Sequence, residues 1–175
     1  GVAVEEGGEI TIGALLPMSG DLADYGQNVQ KGVNLAVKQI NEAGGPLGKK
    51  LKVVFRDCQS EPTALRDGAE KLVNVDKVPA IIGPMIRLDV ATPVASANHV
   101  VLISPSNTPT WVTTLDDDDY TFRTTASDAI QGQVLGQQAW DCGYKTAAIL
   151  YINDPYGGGL AESTTVSFEK LGGKV

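Results

Sequence analysis

A chain of 175 residues that is 42% hydrophobic and 20% charged is long enough for one globular domain and part of another, and its composition excludes a disordered, collagen-like or coiled-coil polypeptide. Lys and Arg total 14 against 21 Asp and Glu, and the resulting charge of −7, with no local basic patch, excludes nucleic acid as a partner. No apolar run reaches the roughly 18 residues that a membrane-spanning helix needs.

Residues 1–8 are small and acidic, without periodicity, and read as a processed mature N-terminus or the edge of a fragment. Residues 9–17 (EITIGALLP) are apolar and bounded by Gly and Pro, the pattern of a buried strand. After a turn at Ser19-Gly20, Val29, Val33, Ala36, Val37 and Ile40 recur at helical spacing, and Gly44-Gly45 stops the helix. Residues 51–56 (LKVVFR) predict a second strand. Ser60-Glu61-Pro62 reads as an N-cap with Pro in the first turn of a helix carrying Leu65, Ala69, Leu72 and Val73. A third strand at 79–83, a short helix at 89–98, a fourth strand at 100–104 and a fifth at 120–123 follow. Beyond these come a helix at 128–140, a strand at 146–152 and a helix at 156–171.

Strands alternating with helices of this length imply right-handed crossovers, and so an α/β fold with a doubly wound parallel sheet covered on both faces. Ligands of such sheets bind beyond the carboxyl ends of the strands. The last strand and helix have only Lys174 and Val175 after them, too little for a second sheet. The expectation is therefore a first domain over 1–124, a boundary near 124–127, and a truncated second α/β lobe over 125–175. The bare sheet edges of that second part predict loose packing or exchange with a second copy of the chain, a dimer.

Catalytic signatures fail one by one. Gly44 to Lys50 (GGPLGKK) follows a helix, has three residues between Gly44 and Gly48-Lys49, and offers Lys50 where a phosphate loop needs Ser or Thr. The first strand-helix turn lacks GxGxxG, Ser19 is not in a GxSxG elbow, and His99, the lone histidine, has no acid placed to orient it. The run Asp116 to Asp119 lacks the spacing of a calcium loop. Cys58 and Cys142 have neither CxxC spacing nor zinc-ligand partners and read as two free thiols. These observations argue for no catalytic residues, no metal and no cofactor, and against an enzyme.

Read together, ITIGALLPMSG at 10–20, YG at 25–26, INEAGGPLGKKL at 40–51, Asp57 with SEP at 60–62, AIIGP at 80–84, ISPSNTP at 103–109, YTFRT at 120–124, SDAIQG at 127–132 and AILYINDPYG at 148–157 resemble the periplasmic solute-binding proteins of ABC transporters. The resemblance is to the leucine/isoleucine/valine-binding, or type I receptor, family. It implies two doubly wound lobes joined by a multi-strand hinge, with a ligand enclosed between them; this chain matches the first lobe and the opening of the second. The family's lobe-one disulfide would need cysteines near Ser60 and Ile86, and neither position has one.

In such proteins hydroxyls and backbone N–H groups after two first-lobe strands hold an amino acid's carboxylate. By this resemblance Thr108 matches the hydroxyl that contacts carboxylate and amine, and Ser106 the position whose backbone carbonyl accepts from the amine. Tyr25 matches the aromatic beside the ligand in the first loop, and Tyr156 the aromatic facing it from the second lobe. Arg87 departs from the family, which usually has Ser four residues after the glycine at 83. It reads either as a solvent-facing partner of Asp89 or as a cationic ligand anchor. The function implied is capture of a small carboxylate-bearing solute, an amino acid or related acid, in the periplasm or outside the cell after signal-peptide removal, for delivery to a membrane permease. A ligand-sensing receptor domain on the same fold is the alternative.

Overall fold

The computed structural model describes residues 8–175, so all of the acidic N-terminal stretch but Gly8 lies outside the described residues. The chain divides into two compact units. One holds the described residues up to Ser106 together with Asp117–Thr124, the other Asn107–Asp116 and Thr125–Val175.

The first unit is built on five strands, β1 (Glu9–Leu16), β2 (Lys50–Asp57), β3 (Ala80–Ile82), β4 (Val101–Ser104) and β5 (Thr121–Arg123). All pair in parallel, in the order β2-β1-β3-β4-β5. Helices α1 (Ala23–Glu42), α2 (Pro62–Glu70) and α3 (Leu88–Ser96) connect them, α2 running into a π turn over Lys71–Val75. From β1 the chain steps outward to β2, then returns past β1 to β3 and β4. Right-handed crossovers therefore place α1 on one face and α2 with α3 on the other. Contacts follow this division. Ala14, Leu16 and Met85 form a core with Val29 of α1 and with Phe55 and Ile82. On the other face a side chain at Gly13 would meet Leu72, one at Gly68 would meet Leu15, and the hydroxyls of Thr92 and Thr121 lie 3.2 Å apart.

Helices lie on both faces of the sheet, as expected, but the cover on the α1 face is uneven. In register, Ala14, Ile82, Ile103 and Phe122 lie in one row on the α1 face. Among the described residues of the first unit α1 serves that face, and cover thins along the row until Ile103 is 38% and Phe122 50% exposed. Beside α1 this leaves an apolar groove of about 400 Å³ lined by Val29, Val33, Ile82 and Ile103.

In the second unit α4 (Asp128–Asp141) and α5 (Pro155–Lys170) pack closely because Gly132 and Gly136 leave room for Ser163 and Ser167. Those serines donate to the carbonyls of Ala129 and Gln133 at 3.4 and 3.1 Å. Phe168 is buried edge-on to Trp140, with ring centroids 6.3 Å apart. The strand predicted over 146–152 does not form. Thr146 makes one parallel bridge to Lys174, while Leu150 and Ile152 stand exposed. A strand exists only by laddering with a neighbour, and Lys174 supplies the one rung found among the described residues.

The cysteines are free, Cys58 buried and Cys142 exposed. Burial and the adjacent Asp57 charge push the Cys58 thiol above the ordinary range. A thiol reagent at pH 8 should accordingly label one site in the native protein and the second only on unfolding. Mass spectrometry of digested samples reads this out, and rapid native labelling of Cys58 would contradict the buried position.

Candidate functional site

Where sheet order reverses, adjacent strands send their chains to opposite faces, and a crevice opens at their carboxyl ends. Here that switch lies between β1, which leads to α1, and β3, which leads to α3. The loops around it are 17–22, 58–61, 83–87 and the start of the segment after β4.

The β3–α3 loop begins at Gly83, whose φ of 106° is open to glycine alone and whose N–H donates to the carbonyl of Ile103 at 2.9 Å. Two serines of the β4 end fasten it. The buried Ser104 hydroxyl donates to the carbonyl of Pro84 at 2.7 Å, and the Ser106 hydroxyl to that of Met85 at 2.8 Å. Arg87 then takes a left-handed conformation (φ 55°, ψ 51°) as the N-cap of α3. Its Nε lies 2.9 Å from Asp89 Oδ1 and its Nη2 2.7 Å from Oδ2, a side-on fork. That hydrogen bond, with the charge of Asp89, tightens the guanidinium's hold on its proton.

The β1–α1 loop is tied to the end of β2. Asp57 Oδ1 accepts from the N–H groups of Met18, Ser19 and Gln59 at 2.9, 3.2 and 2.8 Å, and Oδ2 from the Ser19 hydroxyl at 2.6 Å. Ser60, read from sequence as the N-cap of α2, instead has φ 60°, and Glu61 takes the cap position. The Ser60 hydroxyl accepts from the N–H of Leu22 at 3.0 Å and so caps α1 from outside, since Leu22 has no cap side chain of its own.

Burial of Asp57 works to raise its pKa, but the Ser19 hydroxyl and the N–H groups of Gln59, Ser19 and Met18 outweigh it and hold the carboxyl below the ordinary range. A depressed folded-state pKa contributes stability above the unfolded value of about 3.9 and loses it as pH falls through the folded value. The amide shifts of Ser19 and Gln59 should therefore titrate with a midpoint below about 3.9. A midpoint at or above that value would show that the bonds do not favour the carboxylate.

Of the residues singled out in the sequence, Ser106 and the loop bearing Arg87 are brought together through Met85. Tyr25 lies in the first turn of α1 and is 65% exposed. Thr108 and Tyr156 belong to the second unit. There the Thr108 carbonyl accepts from the N–H of the buried Asp128 at 2.9 Å, and Tyr156, 46% exposed, follows the N-cap Asp154 and Pro155 at the start of α5. Sequence reasoning assigned no role to Ser104 or Asp57; an acid or hydroxyl closing an apolar strand is the signal that would have marked them. Among the described residues no group of three or more His, Cys, Asp or Glu could hold a metal ion, and no helix is long and apolar enough to cross a membrane.

Residues 9–175 match the periplasmic binding protein family. The chain belongs to that family. It is 36% identical over 171 residues to Leu/Ile/Val-binding protein homolog 1 of Brucella abortus, covering 95% of this chain and 45% of that protein. Among solved structures it is similar to the branched-chain amino acid transporter substrate binding protein of Streptococcus pneumoniae in complex with isoleucine, at 34% identity and TM-score 0.87, covering 96% of this chain and 48% of that one. It is also similar to a solute binding protein of an ABC transporter from Rhodopseudomonas palustris in complex with 3,4-dihydroxybenzoic acid, at 25% identity and TM-score 0.86, covering 95% and 45%. The chain thus spans about half the length of the periplasmic binding proteins it matches.

Proposed function

We propose that this chain is the first ligand-binding lobe, with the opening of the second, of an extracytoplasmic solute-binding protein that captures a small carboxylate-bearing solute and delivers it to an ABC-transporter permease. The observation that carries this reading is the sheet's switch point between β1 and β3, with the loops that leave the strands' carboxyl ends there. Its β3–α3 loop is fastened by Ser104 and Ser106 and ends at the N-terminus of α3, whose unpaired N–H groups favour an anion. The ligands of the two related structures, isoleucine and 3,4-dihydroxybenzoic acid, have a carboxylate in common but not an ammonium group. Their shared chemistry supports the carboxylate as the recognised group. In this reading Tyr25, Arg87, Ser106, Thr108 and Tyr156 are the residues that contact the solute.

The test is a thermal-shift screen of the full-length protein against branched-chain amino acids, dicarboxylates and hydroxybenzoates. A solute at a hundred times its Kd adds about 2.7 kcal/mol, or roughly 5 to 10 °C in Tm. A shift only with uncharged amides or sugars would overturn the carboxylate reading. The 175-residue chain, offering part of the enclosing surface, is expected to show a smaller shift with the same solute.

A further inference from the structure

The loop that opens the crevice on the β1 side has no helix or ladder to hold it, yet three backbone N–H groups and two hydroxyls in and around it are engaged by the ends of neighbouring segments. We infer that Asp57 is a positioning residue for the solute site: its carboxylate fixes the β1–α1 loop in one conformation before solute arrives. The inference rests on the functional reading above and assigns Asp57 a role within it.

Geometry carries the argument. Asp57 is the last residue of β2, the neighbour of β1, so its carboxylate emerges at the carboxyl edge beside the loop leaving β1. It gathers two N–H groups and a hydroxyl from that loop, at Met18 and Ser19, and one N–H from its own, at Gln59. A neutral side chain has fewer acceptor sites for such a convergence; an ionised carboxylate offers about four. Ser60 adds a second tie, accepting from Leu22 N and donating to the Ser19 carbonyl at 3.4 Å. To make these contacts Gln59 and Ser60 both adopt positive φ, 52° and 60°, which non-glycine residues avoid. The approach is also close enough that a Cβ at Gly20 would collide with the Gln59 carbonyl. A strained turn held by bonds that all point at one short loop is costlier than core packing requires. It is what preorganisation requires, since a loop already ordered costs no ordering entropy when ligand binds.

Asp57 lies outside the sheet core, so its loss should loosen the loop without unfolding the unit. Heteronuclear NOE and amide exchange on the isotope-labelled 175-residue chain read this directly at Ser19, Gly20 and Leu22. Asp57→Ala should release these amides while those of Gly13 in β1 and Val33 in α1 stay protected. Asp57→Asn, which keeps one acceptor oxygen, should fall between Ala and wild type, and it preserves the test if Ala does not fold. In the full-length protein, with L-isoleucine and 3,4-dihydroxybenzoate as probes, Asp57→Ala should weaken binding roughly tenfold at temperatures well below its Tm, with partial rescue by Asn. Loop amides as ordered in Asp57→Ala as in wild type would overturn the inference. So would a loosened loop with unchanged affinity, because Asp57 would then serve stability alone. Wild-type protein that binds neither probe overturns the functional reading and the solute half of the inference with it, whereas the amide data still decide whether Asp57 holds the loop.

Discussion

Gly83→Ala should destabilise the protein by on the order of 3 kcal/mol, among the largest losses from adding one methyl group anywhere in the first unit. Two costs combine. At φ 106° the backbone occupies a region that L residues avoid. An added Cβ would also run into the carbonyl of Leu15, which cannot retreat because β1 is laddered to β2 on one side and to β3 on the other. Gly44 separates the two contributions, since its φ is 103° and nothing lies within 4 Å of where its Cβ would be. Gly44→Ala should therefore cost only the conformational part, about 1 kcal/mol. Urea unfolding of both variants measures the difference, and equal losses would mean that the close approach to Leu15 carries no weight. If the displaced loop also carries Arg87 away from the crevice, solute affinity should fall with stability for Gly83→Ala and not for Gly44→Ala.

Much of this fold was legible because period and punctuation agree. The apolar run at 9–17 can only be buried, and Val29, Val33 and Ala36 mark the face that α1 lays over β1. The segment at 146–152 has the same strand-forming composition as β1, yet it carries one bridge, because a strand is a property of two segments and composition reports on one. Ser60 illustrates the same limit at a cap. The sequence Ser-Glu-Pro announces a helix start, and a helix does start at Pro62, but the hydroxyl serves Leu22, 38 positions away. No local pattern distinguishes a serine that caps its own helix from one that caps another.

The site divides along similar lines. Arg87 was conspicuous as a charge in a loop at a strand's carboxyl end, and that loop leaves β3 at the sheet's switch point. Asp57 gave a weaker signal, an acid closing an apolar strand, which is common in any α/β chain; its importance lies in four donors converging from two loops. Thr108 and Tyr156 were reached by resemblance alone. Their local surroundings, a carbonyl tied to Asp128 and the first turn of α5, carry no sequence mark of their own.

Arg87→Ser in the full-length protein should weaken binding of the native solute about tenfold to hundredfold, the equivalent of the roughly 1.5 to 3 kcal/mol of a charge-assisted hydrogen bond. The pairing with Asp89 does not exhaust the guanidinium. The fork uses Nε and Nη2, which leaves both N–H groups of Nη1 and one of Nη2, the end-on edge, for a second acid. Asp89 thereby orients the group, and because the pair is partly exposed its own energy is small, about 1 kcal/mol or less. Asp89→Asn should leave the guanidinium charge uncompensated and tighten binding of an anionic solute, whereas Arg87→Lys, which keeps the charge and loses the fork, should fall between wild type and Ser. Raising ionic strength should shrink these differences, since partly exposed charges are screened. Stability should change little, because serine and arginine both carry the cost of a left-handed conformation there and the ion pair lost with Asp89 is partly exposed. Calorimetric titration of the four proteins with the solute found by thermal shift decides the matter. If all four bind it equally, Arg87 faces solvent with Asp89 as its only partner, and the solute's carboxylate is held by hydroxyls and backbone N–H groups alone.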